Sequence, residues 1–110
     1  MIFIIFKKII EYCDIVDSLL DEYNRDYIVF QTSNSFQLST SICIVQIGEY
    51  VSRLSDEFKQ QYDNIPWRKI KGMRNFAAHQ YEHFEFEVLW HTITVELPQL
   101  KDNLLNLSIL

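Results

Sequence analysis

Arg74 and His79 are the residues whose types suit a chemical reaction. Both lie in "IPWRKIKGMRNFAAHQYEH", Ile65 to His83, which also carries Arg68, Lys69, Lys71, Tyr81 and His83 in a chain of net charge -5. A guanidinium binds phosphate oxygens through two parallel hydrogen bonds and keeps its charge. An imidazole can take a proton from a hydroxyl near neutral pH. On RNA the attacking hydroxyl can be the substrate's own 2′-OH, so an Arg–His site needs no metal. The bland alternative is that both are ordinary surface residues of one helix.

The spacing constrains such a site. On a straight helix, residues five apart sit about 140° apart with a rise of about 7.5 Å. Arg74 and His79 therefore flank a groove rather than share a stripe. Arg74 and Tyr81, seven apart, share a face. The helix must end or bend near His79 if His79 and Tyr81 serve one site. Arg68, Lys69 and Lys71 are either solvated charges or contacts to RNA phosphates. Glu49 is either exposed or orients Arg74 across helices. Its neighbour Gly48 costs a helix interior about 1 kcal/mol relative to Ala, which either close helix packing or room for a ligand would explain.

Other groups have plainer readings. His79 and His83 form an H-x-x-x-H pair, but no third ligand has diagnostic spacing, so no metal and no cofactor is expected. Trp67 and Trp90 read as core anchors, with base stacking the alternative for Trp67. His91 reads as a surface or packed histidine. Cys13 and Cys43 lie in apolar-periodic segments and read as free buried thiols of a reducing compartment.

These residues need a scaffold, and the pattern predicts an all-α one. The 110 residues are 48% hydrophobic, enough for one domain spanning residues 1–110. With two glycines and two prolines, the chain favours helices joined by short loops. Ile2, Phe6, Ile9, Cys13, Val16 and Leu20 predict a first amphipathic helix to about Tyr23, broadened by Phe3, Ile5 and Ile10. A short helical or extended piece follows at Tyr27 to Phe30. A long helix is expected from Ser35 to Tyr62, with Ile44, Ile47, Val51, Leu54 and Phe58 inward; a buried strand at "SICIVQI" is the alternative. The helix of Arg74 follows "YDNIPW". A last helix presents Phe86, Leu89, Trp90, Ile93 and Leu97, with a kink or restart at Pro98. No stretch reaches the ~18 apolar residues of a membrane span, so a cytoplasmic protein is expected, without a membrane partner. The acidic balance argues against a broad nucleic-acid-coating surface and leaves room for one local basic site.

Beyond spacing, "RNFAAHQY" (Arg74 to Tyr81) matches R-x-x-x-x-H-x-Y and resembles the signature of HepT-like toxins, a group of HEPN-domain ribonucleases. "IGEYVSRLSDEF", "IPWRKIKGMRN" and "VLWHTITVELPQL" resemble that family's other motifs in the same order, over Ile42 to Leu105. The resemblance implies a HEPN-type antiparallel bundle of four main helices plus a short extra one, expected to form a homodimer with two motifs facing one cleft. It implies metal-independent RNA cleavage, with His79 as general base, Arg74 stabilising the phosphate, and Asn75 positioning or polarising the site; DNA is not expected as a substrate. It also implies a type VII toxin–antitoxin pair, in which an MntA-type nucleotidyltransferase attaches AMP to Tyr81. The chain departs from the family at Gln80, where an acid is common, in lacking a glycine after Tyr81, and at Glu96, where Asp is usual. A non-catalytic helical module that binds a nucleotidyltransferase is the competing expectation.

Overall fold

The computed structural model describes residues 2–78 and 85–107. Every element among them is helical: α1 (Ile2–Glu22), α2 (Tyr27–Thr32), α3 (Asn34–Ser52), α4 (Asp56–Gln61), α5 (Trp67–Ala78), α6 (Phe86–His91), a π-helical turn (Thr92–Glu96) and α7 (Leu97–Leu105). α3 is central and packs on both α1 and α5; α7 closes against α1. No helix among the described residues is long and apolar enough to cross a membrane.

The expected stripe of α1 is buried at Phe6, Ile9, Cys13, Val16 and Leu20, joined by Ile5. Ile2 and Phe3, expected on it, are exposed. Asn24 and Arg25 take positive φ and end α1; the guanidinium of Arg25 is held by Asp17 and Asp21, each at 2.7 Å. Asp26 caps α2 by accepting from the Ile28 and Val29 amides. "SICIVQI" is helical, within α3.

One expectation about helix continuity is corrected. The long helix from Ser35 to Tyr62 is broken at residues 53–55. The Arg53 and Leu54 amides tighten onto Tyr50 and Val51 carbonyls, and the Ser55 hydroxyl accepts from the Phe58 amide at 3.1 Å to start α4. Leu54 and Phe58 are both buried, as expected, and α4 joins α2 and α6 as a six-residue helix. The restart expected at Pro98 is found: α7 begins at Leu97 with Pro98 in its first turn, and the turn before it, Thr92–Glu96, is π-helical. A proline ring crowds the carbonyl four residues before it, here that of Thr94, and the widened turn accommodates the ring.

Trp90 anchors the core as expected. It stands 5.5 Å from Phe30 and 5.4 Å from Tyr27 between ring centroids, tying the last helical rod to α2.

Candidate functional site

α5 begins at Trp67, immediately after Pro66, whose carbonyl accepts from the Ile70 amide. Ile70 and Ala77 are buried, and Met73 and Phe76 pack against the core. That apolar side fixes the rotation of α5 and turns Arg68, Lys71, Arg74 and Asn75 toward α3 and α4. Trp67 locks the start of the helix. Its indole Nε1 donates to the backbone carbonyls of Lys59 and Tyr62, both at 3.1 Å, which pins the end of α4 to α5.

The stem of Arg74 crosses α3 at Gly48. A Cβ at Gly48 would collide with Cβ and Cγ of Arg74, so the glycine permits the helices to close here. One residue on, Glu49 takes the guanidinium: its Oε1 accepts from Arg74 Nε at 2.8 Å and from Nη2 at 2.5 Å. Arg74 Nη1 donates to Asn75 Oδ1 at 3.1 Å. The cross-helix reading of Glu49 is therefore the one the geometry realises. Both side chains remain partly exposed, 37% for Arg74 and 41% for Glu49, so the guanidinium is oriented yet reachable.

Arg74 opens on a groove of about 680 Å³ between α3, α4 and α5. Arg68 and Lys71 line it, as does Lys59 from α4, with Glu49 and Asp56 as its acids. Lys59 was not legible as a site residue, because only the break at 53–55 swings α4 beside α5. Lys69 does not line this groove. It turns to the other side of α5, where its Nζ meets Glu96 Oε2 at 2.8 Å.

Glu96 sits on the π-helical turn with its side chain only 11% exposed. Burial pushes its carboxyl up. Hydrogen bonds from Lys69, His91 and Thr92, with the charge of Lys69, outweigh burial and hold the group below its ordinary value. His91 is itself largely exposed, with Nδ1 3.4 Å from Glu96.

His79, Tyr81 and His83 lie outside the described residues, as do Gln80 and Glu82. Among the described residues no three His, Cys, Asp or Glu side chains gather as a metal site. Cys13 and Cys43 are free and buried.

Residues 9–107 match the family described as ribonuclease HepT-like. The chain is 29% identical over 93 residues to "Putative RNase MJ1216" of Methanocaldococcus jannaschii, covering 84% of this chain and 75% of that protein. It is 29% identical over 85 residues to "Probable ribonuclease HepT" of Thermococcus cleftensis, covering 76% and 77%. It is 38% identical over 55 residues to "Putative RNase TTE0752" of Caldanaerobacter subterraneus, covering 50% of this chain and 49% of that one. No solved structure gave a significant match. The helical bundle, the groove that presents Arg74 and the match over residues 9–107 agree, and the chain belongs to the HepT-like family of HEPN ribonucleases.

Proposed function

We propose that this ribonuclease is a metal-independent endoribonuclease whose chemistry is carried by Arg74 and His79. The observation that supports it most is the hold on Arg74. Glu49 occupies Nε and one Nη2 position, Asn75 meets Nη1, and one N–H on each Nη has no acceptor among the described residues, in a side chain that lines the groove.

In this reading an RNA phosphodiester sits against Arg74. His79 removes the proton of the adjacent 2′-OH, and the 2′ oxygen attacks phosphorus. The P–O5′ bond breaks, the 5′ oxygen leaves and gains a proton, and a 2′,3′-cyclic phosphate remains. Arg74 compensates the charge gathering on the phosphoryl oxygens. A homodimer with two such motifs around one cleft completes the site. The chain then serves as the toxin of a toxin–antitoxin pair, and a nucleotidyltransferase silences it by attaching AMP to Tyr81.

Purified protein should cleave RNA in excess chelator and leave cyclic phosphate ends, and His79→Ala should abolish this. Cleavage that persists unchanged in His79→Ala would overturn the assignment. A wild-type chain that turns over no RNA and is harmless when expressed alone would favour the non-catalytic binding module. Incubation with the nucleotidyltransferase and ATP should raise the intact mass by AMP units. Retention of that gain by Tyr81→Phe would remove Tyr81 as the acceptor.

A further inference from the structure

We propose that the groove between α3, α4 and α5 is a track for a single RNA strand, in which Lys59, Arg68 and Lys71 hold backbone phosphates flanking the one at Arg74. The proposal rests on the RNA-cleaving reading of Arg74 and adds the form of the substrate and a contact from a second helix.

The distribution of unpaired charge carries it. The chain is acidic, with net charge -5. Most of its cations outside the groove are spent on carboxylates: Lys8 on Glu11, Arg25 on Asp17 and Asp21, Lys69 on Glu96, Lys101 on Asp14. Arg53 sits over the Tyr50 ring, 4.6 Å from its centroid. Lys59, Arg68 and Lys71 have no carboxylate partner among the described residues, and all three line the groove that holds Arg74. Glu49 in that groove is neutralised by Arg74. Asp56 is the remaining acid of the lining, and it lies in the first turn of α4, where the helix dipole offsets a negative charge. Positive charge that no described carboxylate neutralises is thus concentrated beside the reacting arginine, while acidic surface elsewhere repels a polyanion.

The walls come from two elements. Arg68 and Lys71 stand on α5, and Lys59 stands on α4. The Trp67 bonds to the carbonyls of Lys59 and Tyr62 fix one wall against the other. At about 680 Å³ the space is of ordinary small-ligand size, ~300–1,000 Å³. That is room for a nucleotide or two of a single strand. Single strands are also the form whose backbone a charged groove follows.

The test is the salt dependence of binding by the full chain. The probe is a short single-stranded RNA carrying 2′-O-methyl groups, which blocks cleavage. Each neutralised phosphate contact on a single strand contributes about 0.7 to the slope of log K against log salt. Lys59→Gln, Arg68→Gln and Lys71→Gln should each lower the slope by about 0.7, and the triple variant by about 2. Lys7→Gln, on α1, should leave it unchanged. A duplex of the same sequence should bind more weakly than the strand. A triple variant that keeps the wild-type slope and affinity overturns the track, as does equal binding of the duplex. Cleavage of unmodified RNA separates the two claims. If wild type cleaves while the triple variant still binds normally, the track falls and the ribonuclease reading stands. If wild type neither binds nor cleaves, both fall.

Discussion

Arg74 lies directly on Gly48: Cβ and Cγ of the arginine fill the space that any side chain at position 48 would need. The other glycine, Gly72, has open space where its Cβ would be. Gly48→Ala should therefore destabilise the protein by about 1–3 kcal/mol through overpacking, and should lower RNA cleavage by displacing Arg74. Gly72→Ala should stabilise by up to about 1 kcal/mol, the ordinary gain of alanine over glycine in a helix. Urea denaturation of both variants reads the contrast. Equal effects at the two sites would show that the contact with Arg74 does not require glycine at position 48.

Glu49 should matter for activity more than for stability. An ion pair as exposed as Arg74–Glu49 contributes about 0–1 kcal/mol. Misplacing a phosphate-binding group by about an ångström can cost about a hundredfold in rate. Glu49→Gln should lower kcat by about tenfold or more with a small change in Tm. Turnover within twofold of wild type would make the pair an incidental surface contact.

Trp67→Phe tests the pin between α4 and α5. The substitution keeps an aromatic ring near Phe58, now 6.3 Å from Trp67, but removes the donor shared by the Lys59 and Tyr62 carbonyls. The expected loss is about 1–2 kcal/mol. Hydrogen exchange should quicken in α4 before it does in α1. Unchanged protection across α4 would mean that core packing alone holds it.

The Glu96 cluster predicts a dependence on acid. Its carboxyl is held below its ordinary value in the folded state, so the unfolded chain takes up the proton first. The stability it contributes is fully present above the unfolded value of 4.5 and is lost as pH falls through the lower folded value. Glu96→Gln should be less stable than wild type near pH 7, and the gap should narrow as pH drops below 4.5. A gap that stays constant down to pH 3 would show that Glu96 acts through packing and not through charge.

The thiols should be silent in the native state. Burial, chiefly, with the nearby Asp14 charge pushes Cys13 up to about 12, and burial likewise raises Cys43. Thiolate is the reactive form, so a thiol reagent at pH 8 should label neither residue until denaturant is added. Rapid native labelling would place one of them on an opening segment.

The linear order of residues was enough for much of this protein. Helical periodicity is local: a stripe such as Phe6, Ile9, Cys13, Val16 and Leu20 repeats with the turn of the helix, and the bundle buries it. The family was legible for a related reason, since each motif is a contiguous run of residues. The partners of the motif were not. Glu49 and Arg74 are separated by 25 positions, and their meeting depends on α3 and α5 closing at Gly48. Lys69 reads as a charge of the motif and Lys59, outside it, does not, yet Lys59 reaches the groove and Lys69 turns away to Glu96. The sequence by itself determined which segments are helical and which residues could react. Only the tertiary structure decided which charges stand beside Arg74 without a partner among the described residues, because that depends on the close approach of α3 and α5, the break that frees α4 and the π-helical turn that presents Glu96.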